Sequence, residues 1–180
     1  MIRLFVAIDL PETIRRDLCL MVPAIPGARA VSVEQLHLTL QFIGEVEEPV
    51  MDDINHCLES IEREEFPLRL KGVGHFPPRG KPRILWVGVE KSEELMRLQH
   101  RVESSLKRIG LVGEKRKFHP HITLARLKQS PIQRVTSFLG ANSLYTSEPF
   151  QATSFHLYSS HLGRHGATHI LEQSYPLEQP

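Results

Sequence analysis

Short segments of alternating polar and apolar residues recur along the chain, separated by segments whose apolar residues have helical spacing. The first pattern is typical of strands and the second of helices. The alternation predicts strands at about 2–8, 36–42, 66–71, 83–89, 118–126, 150–158 and 168–175. The helical spacing predicts four helices, which begin near Pro11, Glu48, Ser92 and Pro131 and end before Pro23 and near Glu62, Gly110 and Gly140.

Residues that commonly cap helices precede three of these segments. Asp9 lies before Pro11 and is followed three positions later by Glu12, Ser92 opens the third helix, and Ser130 precedes Pro131. Such side chains accept hydrogen bonds from the first free amides of a helix. We therefore expect Asp9, Ser92 and Ser130 to act as caps.

Two of the predicted strands carry the same four-residue pattern, at His37–Leu40 and His121–Leu124. Each copy alternates a histidine and a threonine with aliphatic residues, so an extended strand would place the polar pair on one face. In the first copy the alternation also places Gln41 on the face of His37 and Thr39. One copy alone would be unremarkable, but two copies suggest a shared cleft with two imidazoles.

The elements repeat in order on either side of a basic loop, rich in Pro and Gly, at 74–82. Each side is predicted to contain a strand, a helix, a motif strand, a further helix and a strand. We expect a single domain over 1–180, with interwoven lobes and sequence halves of about 1–78 and 79–180 that hold one motif each. Identical motifs in matching halves make a functional role more plausible than chance.

Two imidazoles in one cleft can divide acid–base chemistry, because histidine titrates near neutral pH. A threonine beside each imidazole can donate a hydrogen bond to a phosphoryl oxygen, which suits a phosphodiester better than an amide or ester. Arg126 would point to the opposite face of a regular strand, so whether it reaches a phosphate depends on a bend or on its long side chain. Phe42 and Phe76 are candidates for stacking on a nucleobase, although core packing is the commoner role of an aromatic side chain.

A metal site is not predicted. His161, His165 and His169 have a spacing that would align them on a helix, but Gly163 and Gly166 predict a turn in that segment. The glycine patterns of nucleotide-binding loops are also missing. We therefore expect no metal and no cofactor.

The composition of the chain constrains its binding partners and its cellular location. The 22 basic and 21 acidic residues nearly cancel, so a polyanion would have to be held by a local cluster of charge. Cys19 and Cys57 both fall in predicted helices and are expected to be buried thiols. No apolar stretch is long enough to cross a bilayer, and the N-terminus lacks the features of a signal peptide. We expect a cytoplasmic monomer with no membrane partner.

The paired motifs and their surroundings resemble the 2H phosphoesterase superfamily, in its 2′-5′ RNA ligase or RNA 2′,3′-cyclic phosphodiesterase branch. The resemblance covers nearly the whole chain. It rests on the two motifs and on similar residues at 5–11, 41–46, 76–77, 85–89 and 118–126 and in the C-terminal strands. His169 is a departure, because an aromatic residue is common at that position.

The resemblance implies an α+β fold in which two pseudo-symmetric lobes of antiparallel sheet and helices flank a V-shaped groove. It implies hydrolysis of RNA 2′,3′-cyclic phosphate ends to 2′-phosphates, with His37 as proton donor and His121 as proton acceptor. Thr39 and Thr123 would hold phosphoryl oxygens, and Arg126 matches a basic position after the second motif. The alternatives are reversible 2′-5′ RNA ligation as the main role, or a non-catalytic module that binds RNA or nucleotides.

Overall fold

The computed structural model describes residues 1–180 as two four-stranded antiparallel sheets, a two-stranded sheet and four helices. The strands are β1 (Ile2–Asp9), β2 (Ala28–Ala30), β3 (His37–Val46), β4 (Phe66–Leu68), β5 (Leu70–Phe76), β6 (Ile84–Val89), β7 (His121–Leu127), β8 (Phe150–Ala152), β9 (Ser154–Gly163) and β10 (Gly166–Pro176). The helices are α1 (Glu12–Met21), α2 (Val50–Glu59), α3 (Glu93–Arg108) and α4 (Ile132–Ala141).

The first sheet has the strand order β10-β9-β1-β3 and the second has β2-β7-β6-β5, so each sheet contains one motif strand. Both sheets also draw strands from both sides of residue 78. The prediction of an α+β fold with two related lobes is confirmed. The division of the sequence into halves at that residue remains a prediction.

One continuous core joins the two sheets and the helices. The aliphatic residues of the motif strands point into it, including Leu38 and Ile122, which are both fully buried. Helix α3 buries Leu95, Leu98 and Val102 at helical spacing, as predicted, and ends at Arg108, two residues before Gly110, whose φ is +86°. The motif strands are therefore anchored through one face, which leaves the other face available for a ligand.

The predicted helix caps are only partly correct. Ser92 caps α3, and its hydroxyl accepts a hydrogen bond from the Leu95 amide at 3.1 Å. The predictions for Asp9 and Ser130 are wrong, because α1 and α4 start immediately after Pro11 and Pro131 without a side-chain cap. Asp9 remains the last residue of β1, where its carboxylate has other partners.

The loop predicted at 74–82, between the sequence halves, begins later than expected. Gly74, His75 and Phe76 continue strand β5, where they pair with Trp86, Leu85 and Ile84 of β6. Phe76 is therefore a strand residue of the second sheet.

None of the four helices is long and apolar enough to cross a membrane.

Candidate functional site

The two motif strands share the same β-bulge. In the pairing of β3 with β1, Val6 lies opposite Gln41 and Ala7 opposite Thr39, so Leu40 is an extra residue. In the pairing of β7 with β6, Leu85 lies opposite Ala125 and Trp86 opposite Thr123, so Leu124 is extra in the same way. An extra residue interrupts the alternation of side chains along a strand. The two motifs are therefore equivalent in backbone register as well as in sequence.

These bulges decide which residues join the motif histidines. Beyond each bulge the alternation is inverted, so that Phe42 and Arg126 lie on the same face as the histidine and threonine of their strand. Both side chains are exposed, and Phe42 is 52% exposed. The strand irregularity that was one of the two routes expected for Arg126 is thus present. The prediction that Gln41 lies on the histidine face is wrong, because the bulge turns Gln41 to the opposite face, where it is buried.

The two motif histidines are held by the same backbone contact. Nδ1 of His37 lies 2.6 Å from the carbonyl oxygen of Gln35, and Nδ1 of His121 lies 2.6 Å from that of His119. A carbonyl oxygen only accepts hydrogen bonds, so Nδ1 carries the proton in both rings. Each ring therefore presents Nε2 to a ligand, as a base when neutral and as an acid when protonated.

Gln35 also links this contact to the last strand. Its side-chain amide donates a hydrogen bond to the backbone carbonyl of Ala167 in β10. The same residue thus orients His37 through its backbone and holds the strand that carries His169 through its side chain. No sequence signal indicates this role of Gln35, because neither hydrogen bond depends on an unusual residue type.

Aromatic rings surround His37. Phe5 of β1 stacks on the imidazole with ring centroids 4.9 Å apart, and Tyr158 of β9 stacks on the other side of Phe5 at 5.5 Å. His169 meets His37 edge-on at 5.2 Å. A small pocket beside His37 is lined by Phe5, Asp9, Arg15, Glu34, Leu36, His37, Tyr158 and His169. The alternation along β1 could have identified Phe5 from the sequence. Leu4, Val6 and Ile8 point into the core, so Phe5 points to the opposite face of the strand.

Asp9 forms the polar side of this pocket. Its carboxylate accepts a hydrogen bond from the Tyr158 hydroxyl at 2.7 Å, and its second oxygen lies 3.5 Å from Nε2 of His156. These partners replace the helix amides expected for a cap. Asp9 is therefore a negative charge near His37, a role that the sequence prediction missed.

A second aromatic cluster surrounds His121. Phe76 meets the imidazole edge-on at 4.9 Å, and Trp86 and His119 pack against Phe76 at 5.4 and 5.5 Å. A Cβ at Gly74 would overlap the Trp86 indole, so this glycine makes room for the ring. Phe76 thus has its main contacts within the protein, whereas Phe42 has a largely open surface.

Electrostatics favour neutral imidazoles in the free protein. Burial lowers the pKa of His37 to about 4, although the Gln35 carbonyl and the Asp9 carboxylate raise it, and the charges of His169 and His121 lower it further. Burial also lowers the pKa of His121, against the His119 carbonyl. The pKa of His169 is lowered by burial and by the positive charge of Arg126. Since β3 contacts β7, the two motif histidines and Arg126 belong to one electrostatic environment.

The low pKa of His37 predicts a loss of stability in acid. A histidine whose pKa is lower in the folded than in the unfolded chain stabilises the fold above its unfolded pKa, near 6.5, and this contribution is lost as the pH falls toward the folded value. Between about pH 7.5 and about pH 5, His37 should account for about 2 kcal/mol of the decrease in unfolding free energy. Urea unfolding of the wild type and of His37→Asn at both pH values measures this difference. An equal decrease in both proteins would contradict the prediction.

The other predicted histidine series lies along a hairpin. His161 is in β9, His165 is in the turn that joins β9 to β10, and His169 is in β10, so they do not share a helix. Within residues 1–180, no group of three or more His, Cys, Asp or Glu side chains is arranged to hold a metal ion. His169 alone of the three contacts a motif histidine.

Comparison with known proteins gives a consistent assignment. The sequence profile of the 2′-5′ RNA ligase superfamily matches residues 12–164. An RNA 2′,3′-cyclic phosphodiesterase of Aeropyrum pernix is 48% identical over 56% of this chain and 57% of its own length. One of Archaeoglobus fulgidus is 38% identical over 71% of this chain and 73% of its own length. The crystal structure of Escherichia coli LigT complexed with 3′-AMP matches nearly the whole of both chains.

That structural match has a TM-score of 0.79 and 29% sequence identity, and it covers 99% of this chain and 99% of the Escherichia coli protein. It includes both sheets and both motif strands, since nearly the whole chain is aligned. The likeness therefore extends over the complete fold that carries the site.

Proposed function

Because this chain belongs to the 2′-5′ RNA ligase superfamily, we propose that it is an RNA 2′,3′-cyclic phosphodiesterase that converts cyclic phosphate ends to 2′-phosphates. One observation carries the proposal: two histidines at equivalent positions each present Nε2, fixed by the same Nδ1 hydrogen bond to a backbone carbonyl. A displacement at phosphorus needs one group to take a proton and another to give one. The relatives from Aeropyrum pernix and Archaeoglobus fulgidus are both named RNA 2′,3′-cyclic phosphodiesterases.

In the proposed reaction His121 is the base and His37 is the acid. Nε2 of His121 removes a proton from water as the water oxygen forms a bond to phosphorus. The bond between phosphorus and the 3′ oxygen breaks, and Nε2–H of His37 donates its proton to that oxygen. The product carries a 2′-phosphate and a free 3′-hydroxyl, and the histidines exchange protons with solvent before the next turnover.

His37 must hold a proton in the substrate complex although its pKa is about 4 in the free protein. The phosphodiester provides a negative charge next to both imidazoles, and such a charge favours the protonated form. The nearby carboxylate of Asp9 acts in the same direction. Substrate binding is therefore the step that makes His37 a competent acid.

The remaining side chains of this face would hold the phosphate and the base. Thr39 and Thr123 can donate hydrogen bonds to the non-bridging oxygens, and Arg126 adds a positive charge where negative charge accumulates. Phe42 offers an open ring on which a base can stack, and Phe76 would contribute an edge beside His121. No step requires a metal ion, so we propose that the reaction is metal-independent.

Turnover of a defined RNA end tests the proposal. The purified protein, treated with EDTA, should open a cyclic phosphate oligonucleotide, and the product should resist an enzyme specific for 3′-phosphates. A 2′-phosphate product would identify the 3′ oxygen as the leaving group. Absence of turnover both with EDTA and with added divalent ions would contradict the assignment, and formation of a 2′-5′ linkage with an added 5′-hydroxyl RNA would indicate ligation.

A further inference from the structure

We propose that a basic cleft on the outer side of α3 is a second site, which binds the backbone phosphates of the RNA away from its reactive end. The basic cleft is lined by Arg63, Met96, Arg97, His100, Arg101 and Ser104. This inference rests on the proposed function in taking RNA as the ligand. None of these residues belongs to a motif strand or lines the pocket beside His37.

The ionisable side chains that line the basic cleft are all basic. Three guanidinium groups and one imidazole line it, and no carboxylate does. The whole chain has a formal net charge of only +1, so this local excess is balanced by acidic residues elsewhere. A nearly neutral protein that binds a polyanion must concentrate its positive charge in this way.

Helical spacing assembles most of the basic cleft. Arg97, Arg101 and Ser104 follow one another at intervals of four and three residues, so they share one face of α3. The opposite face, with Leu95, Leu98 and Val102, is buried in the core. The side chains of the basic cleft are therefore displayed on a rigid element.

Arg63 joins this face from the chain that follows α2. Its backbone is fixed by a hydrogen bond from the Glu178 amide to the Arg63 carbonyl oxygen, at 2.8 Å. Its Nε is shielded from solvent but has no hydrogen-bond partner, and the guanidinium forms no ion pair within the protein. A guanidinium without a carboxylate partner keeps its terminal N–H donors free for phosphate oxygens.

The other arginines are also available to a ligand. Arg101 is exposed and pairs with no carboxylate, whereas Arg97 lies 3.3 Å from Glu93 in an exposed pair. Exposed pairs of this kind are weak, so Arg97 can turn to a phosphate at little cost. Guanidinium groups suit this ligand because their donors match pairs of phosphate oxygens.

The test compares a long and a short substrate in the double variant Arg63→Gln, Arg101→Gln. On a cyclic phosphate RNA of about 10 nucleotides, KM should rise about tenfold. On a cyclic mononucleotide, which has no further backbone phosphate to occupy the basic cleft, KM and kcat should be unchanged. The matched control Arg3→Gln, Arg16→Gln removes the same charge from two exposed ion pairs and should behave as wild type on both substrates.

Equilibrium binding separates this inference from the proposed function. Fluorescence anisotropy with an RNA that ends in a 3′-hydroxyl needs no turnover, and the slope of log K against log salt should fall by about 1.4 in the variant. Equal affinity for this RNA in variant and wild type would overturn the proposal, as would an equal loss in the control. If Arg63→Gln lowers stability, the exposed change Arg101→Glu provides the same comparison without altering a half-buried residue.

Discussion

Replacing either His37 or His121 by alanine should lower kcat on a cyclic phosphate RNA end by about 10²–10⁴-fold, because each change removes one of the two groups that move a proton. KM should change much less, since Thr39, Thr123 and Arg126 remain in place. Initial rates under saturating substrate measure the effect. The size of the loss should be similar in the two variants, because their backbone settings are equivalent.

His56→Ala is the matched control for these variants. His56 is an exposed histidine on α2, outside both motif strands, so its replacement should leave kcat unchanged. Far-ultraviolet circular dichroism should give the same spectrum for all three variants. A fold that is retained together with more than a tenth of the activity in both motif variants would exclude the two-histidine mechanism.

A substrate with sulfur in place of the 3′ oxygen should restore a large part of the lost rate to His37→Ala, to within about tenfold of wild type, and almost none to His121→Ala. A thiolate is a far weaker base than an alkoxide and leaves without a proton, so the acid becomes dispensable while the base does not. The loss for His37→Ala should shrink from about 10²–10⁴-fold to about tenfold. Parallel rate measurements on the oxygen and sulfur substrates give this comparison.

This experiment decides the direction of proton transfer. In the free protein the lower pKa of His37 favours the neutral form, which by itself would suit a base. The assignment of His37 as the acid therefore depends on the charge of the bound phosphate. Rescue of His121→Ala rather than His37→Ala would reverse the two roles and leave the remainder of the proposal intact.

The sequence predicted the elements well wherever their signal was local. The strand alternation within both four-residue motifs, the cap at Ser92 and the helix end near Gly110 each depend on neighbouring residues, and the structure contains all three. The prediction was less accurate where a neighbouring element intervened. The cap at Asp9 was wrong because Tyr158, which is remote in the sequence, supplies the partner of its carboxylate.

The residues around the site also differ in whether a local sequence signal or a contact with a remote element identifies them. The motif histidines and threonines could be selected from the sequence because their pattern occurs twice. Phe5, Tyr158 and Trp86 have no such repeat, and only the pairing of strands brings them beside the histidines. Phe76 was selected for stacking on a nucleobase from a predicted loop, but it lies at the end of a strand and packs against His121.

The sequence by itself determined that two equivalent strands each present a histidine and a threonine opposite a buried aliphatic pair, because alternation is a property of any extended chain. Tertiary structure decided the rest. Strand pairing produced the bulges at Leu40 and Leu124, which bring Phe42 and Arg126 to the histidine face and bury Gln41. Burial between the sheets lowered the pKa values of both histidines, since desolvation depends on everything that surrounds a ring and not on its neighbours in sequence.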